Sequence, residues 1–267
     1  MTKNTLPVYP HSPAERKRYE VLNRLASQHS WRFVQDTTIR MLDGSSLYDV
    51  VRHDWNYQNH IIGDDWEYAE ISFTVRGHTG FSHLRKRRIT YAVMHARLPR
   101  KLPNVVFDSI DHQRKEFRIV FDRGQRIQLE GNFNKYFVTY FGHGYTIDDL
   151  SFITPEVMEA LIDAHEYNVE IVHDSLLLFS QVQSDPETQV LAMSKAIRLI
   201  RKKLLNNIIA YRDDRVPRDQ SMFIVARAGM FLKRGYVKPV LDLLISALPY
   251  FIIVAVLVTL LLHTLIY

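Results

Sequence analysis

Apolar and polar residues change rhythm several times along this chain, and each change marks an element. Ser12-Pro13-Ala14-Glu15 offers a helix N-cap, a proline at the first helical position and a glutamate at N3, the sequence form of a capping box. The spacing predicts a helix over 13–29 with Tyr19, Leu22, Leu25 and Ala26 on its buried stripe. Trp31–Val34 then reads as a strand, while 36–62 fits no single period and is assigned short strands or irregular structure. From Trp66 to Val75 the alternation is clear: Ala69, Ile71, Phe73 and Val75 face one way, Glu70, Ser72 and Thr74 the other. Further strands are predicted at Ile89–Leu98, Asn104–Ser109, Phe117–Phe121, Ile127–Leu129 and, as a long one, Phe133–Phe141.

Thr154-Pro155-Glu156 is a second helix start, with Val157, Met158, Leu161, Ile162 and His165 on one face. Val169–Val172 and Leu176–Phe179 look like a β-hairpin turning at His173-Asp174-Ser175. The strands follow one another too closely for crossover helices, so the pattern predicts an α+β fold with a mainly antiparallel sheet and packed helices. Asp185-Pro186 closes that unit, taken as residues 1–182. A long helix, Thr188 to Tyr211, follows with Leu191, Ile197, Ile200, Leu204 and Ile208 on one side and Arg198, Arg201, Lys202 and Lys203 on the other. Residues 183–238 are this amphipathic helix and a basic connector.

The last segment, 239–267, changes the picture. Leu243 to Tyr267 contains no Asp, Glu, Lys or Arg over 25 residues. A helix needs roughly 20 residues to cross a hydrocarbon core, and backbone in lipid must bond to itself. The expectation is one C-terminal transmembrane helix acting as a tail anchor. Arg227, Lys233, Arg234 and Lys238 precede it, and His263 is the one ionisable side chain near its far end except Tyr267. The positive-inside rule then places the domain in the cytoplasm of a cell, on a single-pass protein. Residues 1–20 hold no apolar core and do not read as a signal peptide.

The formal charge of +5 is unevenly spread. Residues 1–182 carry 22 basic and 23 acidic residues, residues 183–267 carry 12 and 6. The excess therefore sits beside the apolar run, which suits an anionic leaflet rather than nucleic acid. With no cysteine in the chain, disulfides, thiolate metal sites and thiol nucleophiles are excluded.

Candidate chemistry is sparse. The phosphate-loop, dinucleotide, nucleophile-elbow and zincin motifs are missing from the sequence, and no cofactor is implied. Twelve histidines are scattered without helical metal spacing; His53, Asp54 and His60 with Asp64 and Asp65 is one set that would have to converge. Asp122-Arg123 with Glu130, and Asp148-Asp149, are acid–base candidates set against ordinary turn carboxylates. Gly142-His143-Gly144 reads as a turn whose glycines take positive φ. Arg85-Lys86-Arg87-Arg88, between two predicted strands, reads either as a contact for anionic lipid headgroups or an acidic partner, or as a solvated loop. The basic face with Arg198, Arg201, Lys202 and Lys203 either lies on a membrane or points to solvent while the apolar stripe packs on the domain, the second being favoured. Lys233, Arg234 and Lys238 complete the set of lipid or partner contacts.

Three phrases carry a resemblance. Leu129, Glu130, Gly131, Phe133 and Phe137, then Thr154, Pro155 and Met158, then Glu170, Ile171, Asp174, Leu176, Leu178 and Ser180 resemble a domain-of-unknown-function module of uncharacterised prokaryotic membrane-anchored proteins. Tyr211–Arg215 is similar to the same group. The resemblance implies a bacterial, cytosolic α+β domain beside one or two membrane helices and carries no activity with it. Residues and resemblance together point to a non-enzymatic, membrane-tethered adaptor, sensor or assembly factor with the bilayer and a membrane protein as partners. A membrane-bound hydrolase with a His/Asp/Glu site and a peripheral binder of anionic lipid are the alternatives.

Overall fold

A computed structural model describes residues 12–34, 42–51, 55–77, 85–113, 117–209, 211–212 and 225–232. The expected transmembrane helix lies outside these residues. No helix among the described residues is long and apolar enough to cross a membrane.

The fold is α+β with a mostly antiparallel sheet and packed helices. Helix α1 is Pro13–Gln28, and its capping box forms: the Ser12 hydroxyl accepts from the Glu15 amide at 3.2 Å, and Glu15 Oε2 accepts from the Ser12 amide at 2.9 Å. β1 (Arg32–Val34) leads to the short α2 (Ser46–Val51) and to β2 (Trp55–Ile62) in the stretch that carried no clear period. β3 is Glu67–Gly77, and its partner β4 is a 25-residue strand, Arg85–Ser109. A one-turn helix α3 (Ile110–Gln113), β5 (Phe117–Phe121), β6 (Arg126–Ile127) and β7 (Phe137–Phe141) follow. Then come α4 (Pro155–Ile162), β8 (Asn168–Gln181), α5 (Pro186–Ile208) and β9 (Arg227–Leu232).

β4 organises the sheet. One of its edges pairs first with β3, over residues 85–95, and then with β7, over 105–109. Its other edge pairs with β8 over residues 91–107. β1 and β2 extend the sheet beyond β3, and β6 extends it beyond β7. A separate ribbon pairs β5 with β9.

Several sequence expectations are corrected here. Ile89–Leu98 and Asn104–Ser109 are one strand. Pro99 and Pro103 fall where the ladder to β8 is irregular, between Arg97 and Val105, the position a proline can occupy in a sheet. The hairpin expected at His173-Asp174-Ser175 is instead a bulge in a single strand, β8, with His173 at φ 54° opposite Leu102. Arg85–Arg88 are strand residues rather than a loop. Phe133–Lys135 form a 3-10 turn, so β7 starts only at Phe137. There, Gly131 at φ 66° and the Asn134 side-chain bond to Leu129 O at 2.7 Å give the backbone a turn that β-propensity alone does not reveal.

Both sheet faces are buried. One carries Tyr68, Met94, Phe107 and Leu178 under α1, α4 and α5. The other carries Ile71, Phe73, Tyr91 and Phe179 under α2 and the β5–β9 ribbon. Apolar and polar positions alternate in β3 as expected, yet the polar side does not face water: Glu70 is 0% exposed, and Ser72 is buried beside it. Arg18 of α1 reaches Glu70 through Nε at 2.6 Å, joined by Tyr68 OH at 2.9 Å and Asn59 Nδ2 at 3.0 Å.

Helix α5 starts where Asp185 caps it, accepting from the amides of Glu187 and Thr188. Val190, Met193, Ile197, Ile200, Leu204 and Ile208 enter the α1–α4 side of the core. Leu191, one step off that stripe, is 37% exposed rather than buried. Of the basic connector, Arg227–Leu232 is strand β9.

Candidate functional site

Among the described residues, the basic residues named from sequence separate into two groups at opposite ends of β3. At one end, Thr74, Val75, Arg76 and Gly77 pair with Arg88, Arg87, Lys86 and Arg85. The ladder of β2 on β3 begins at the Trp55–Phe73 pair, and that of β8 on β4 at Tyr91–Gln181, with Val182 N bonding Thr90 O at 3.1 Å. The four pairs therefore lie past both flanking ladders and form a two-stranded arm. Its eight positions carry five cations and no Asp or Glu, and Arg88 is exposed. The β5–β9 ribbon sits at the same end: the Phe117 ring lies 5.6 Å from that of Phe73 and 6.1 Å from that of Tyr91.

At the other end, the β2–β3 turn places Asp64 and Asp65 against α5. Gly63 closes this turn, its amide donating to Trp66 O at 2.9 Å; a Cβ there would stand 2.5 Å from the Trp66 ring. Arg198 binds Asp64 at 3.2 Å and Asp65 at 3.1 Å, and Arg201 binds Asp65 at 3.1 Å and the Arg97 carbonyl at 2.9 Å. Between the turn and α5 runs a groove lined by Asp64, Asp65, Arg198, Arg201, Leu205 and the exposed Lys202, while Lys203 is half-buried. The apolar stripe of α5 packs on the domain, as favoured, and two of its four cations are already paired. Lys233, Arg234 and Lys238 lie outside the described residues.

The paired cations are solvent-accessible, so their worth is small. Asp65→Ala, which takes one carboxylate from each arginine while Arg198 keeps Asp64 and Arg201 keeps the Arg97 carbonyl, is expected to cost less than about 1 kcal/mol, a melting shift of roughly 4 °C at most for a unit of this size. A thermal melt at low and at high salt checks this; a loss several times larger would mean that the turn itself collapses.

A polar row crosses four strands near the same end. His60 Nε2 meets Glu67 Oε2 at 3.2 Å, Glu67 lies opposite His95 in register, and His95 Nε2 meets Ser175 Oγ at 3.2 Å. Beside it Arg97 binds Asp174 at 3.1 Å. The hydrogen bond with His60 holds the Glu67 carboxyl below the usual range, while burial pushes His95 down. His60 is 4% exposed, and its Nδ1 has no hydrogen-bond partner among the described residues. The Gly63-Asp64-Asp65 turn, by bringing 60–62 beside 66–68, sets His60 next to Glu67.

The other candidates disperse. His53 and Asp54 are outside the described residues, while His60, Asp64 and Asp65 take the partners given above. Among the described residues no group of three His, Asp or Glu is placed to hold a metal. Asp122 caps the turn at Gly124 and lies 3.6 Å from His143. The Asp149 carboxylate accepts from the Thr146 amide at 2.6 Å, in the capping box of the 3-10 turn Ile147–Leu150. Among the described residues the glycines at positive φ are Gly44 and Gly131, so the Gly142-His143-Gly144 turn does not use that conformation. A buried chain runs from Tyr91 OH to His112 Nε2 at 2.9 Å and from His112 Nδ1 to Asn168 Nδ2 at 3.1 Å, locking α3 to the start of β8.

No protein-family model matches the chain, and no curated protein matches it. Among solved structures, the crystal structure of the mycobacterial trehalose monomycolate transport factor A, TtfA, is similar over 71% of this chain and 95% of that one, at 12% identity and a TM-score of 0.44.

Proposed function

We propose that the folded unit is a non-enzymatic binding module tethered to a membrane by Leu243–Tyr267, serving as adaptor, sensor or assembly factor for a membrane protein on the cytoplasmic side. The observation that carries this is the 25-residue run without Asp, Glu, Lys or Arg, separated by ten residues from β9, which ends at Leu232. Ten residues reach at most about 35 Å, so the domain stays at the bilayer surface. The resemblance to prokaryotic membrane-anchored modules fits the same reading.

A hydrolase reading would draw on Ser175 and His95. A serine nucleophile needs its histidine oriented by a third group, and the carboxylates near His95 are engaged by others, Glu67 by His60 and Asp174 by Arg97.

The tether is tested by floating the full chain with neutral phosphatidylcholine vesicles after an alkaline carbonate wash. The chain is expected to float, and a chain lacking residues 239–267 to stay in solution. Extraction of the full chain by carbonate, or flotation of the shortened one, would overturn the tether.

A further inference from the structure

We infer that the β3–β4 arm, and not the basic face of α5, is the surface that meets the membrane, and that its ligand is the anionic headgroup layer of the bilayer. This rests on the tether proposed above and goes beyond it by assigning which end of the domain faces the lipid.

Three observations converge. The first is the charge of the arm: Arg76, Arg85, Lys86, Arg87 and Arg88 fall within eight paired positions that hold no acid. Such a cluster gains from an anionic surface within a Debye length, roughly 8–10 Å. The second is projection: the arm extends beyond the ladders of β2 and β8, by about 13 Å for four residues of strand. The backbone therefore offers these positions ahead of the rest of the sheet.

The third is the path of the chain. Leu232, the last residue of β9, pairs with Phe117, and Phe117 packs on Phe73, the residue just before the arm. The polypeptide thus leaves the described fold beside the arm, ten residues from the uncharged run. The Asp64-Asp65 turn stands at the opposite end of β3, about 35 Å away over 11 residues. When the arm touches the bilayer, Arg198, Arg201 and Lys202 are held far from it, and two of these three already bind Asp64 and Asp65. The groove and the polar row at that end are left facing away from the membrane, open to a partner.

The chain has no cysteine, so single labels report position cleanly. The full chain carrying a fluorophore at Thr74→Cys is reconstituted in vesicles of phosphatidylcholine alone, and of phosphatidylcholine with one third phosphatidylglycerol. Quenching by aqueous acrylamide is measured, with a second label at Asp64→Cys as the far-end reference. In the anionic vesicles quenching of the Thr74 label is expected to fall several-fold, and that of the Asp64 label to stay unchanged. High salt restores quenching, as does replacing Arg85, Lys86, Arg87 and Arg88 with Gln. The single variant Arg88→Gln weakens docking by roughly fivefold without risk to the ladder. Arg198→Gln with Lys202→Gln leaves it unaltered.

Equal quenching of the Thr74 label in both vesicle types overturns the inference while leaving the tether intact, since the chain still floats. Protection of the Asp64 label, or loss of protection in the α5 variant, overturns it in favour of the other basic face. A chain that does not float removes the tether, and this inference with it.

Discussion

Arg18→Ala is expected to destabilise the protein by about 3–5 kcal/mol, the usual cost of stripping one partner from a buried ion pair. Glu70 is 0% exposed, and its carboxylate would be left with the Tyr68 hydroxyl and the Asn59 amide but no positive charge. Burial pulls the Arg18 guanidinium pKa down, and Glu70 with Tyr68 outweighs this, so the net shift is upward. The guanidinium also donates to the Gln183 carbonyl at 2.6 Å and to Gln189 Oε1 at 3.3 Å. It thereby ties α1 to β3 and to the entry of α5. At roughly 2–4 °C per kcal/mol for a unit of this size, the melting temperature should fall by about 6–20 °C. Adding Glu70→Gln to Arg18→Ala should restore part of the loss, because the buried charge disappears while Tyr68 and Asn59 keep a polar partner. Thermal melts of the two variants in detergent decide it. A double variant less stable than Arg18→Ala alone would show that Glu70 acts through its hydrogen bonds rather than through its charge.

What could be read from the chain beforehand followed the range of the interactions. The caps at Ser12 and Thr154-Pro155 are local and marked their helices correctly, because a cap needs only residues within one turn; Asp185-Pro186 read only as the close of a unit, whereas Asp185 caps α5, which runs Pro186–Ile208 rather than Thr188 to Tyr211. The continuity of β4 was hidden: Pro99 and Pro103 look like punctuation, and only the distant β8 carries the pairing past them. His173 likewise resembles a turn until Leu102 is set opposite. Alternation in β3 separated its two sides but could not show that the polar one is buried, because Glu70 finds its partner in Arg18, 52 residues away. For the basic site, composition revealed the charges but not their geometry. That Arg85–Arg88 extend past their neighbours depends on where β2 and β8 begin and end, which no local pattern records. The pairing of Arg198 and Arg201 with Asp64-Asp65 was equally invisible, as it joins a turn to a helix more than 130 residues on. The His60–Glu67–His95–Ser175 row draws one residue from each of four strands and leaves no spacing signature.

Glu170→Gln should make the protein more stable in alkaline solution and change it little in acid. Glu170 lies on β8 with 0% exposure. It accepts the Ser46 amide at 2.9 Å and the Ser46 hydroxyl, pinning the start of α2 to the sheet. Burial pushes its carboxyl from 4.5 up to about 7, although the two Ser46 bonds pull the other way. Folding therefore favours the protonated form. The associated stability is present in full below about pH 4.5 and is lost as the pH rises through about 7. The shift corresponds to about 3 kcal/mol once the group is ionised in both states. Glutamine keeps an acceptor for Ser46 and cannot ionise. The difference between variant and parent should thus be small at pH 5 and reach about 3 kcal/mol in favour of the variant at pH 8. Comparing the two proteins at each pH matters because Glu67 and His95 pull oppositely. The carboxyl of Glu67 is depressed by His60, and its stabilisation is lost as the pH falls through its folded value. His95, depressed by burial, begins to cost stability as the pH drops below about 6.5. Both effects are common to parent and variant and cancel in the comparison. Thermal melts of the full chain in detergent at pH 5, 6.5 and 8 supply the numbers. If Glu170→Gln is the less stable protein at pH 8, the ionised carboxylate is what holds Ser46, and the sheet tolerates a buried charge at the base of α2.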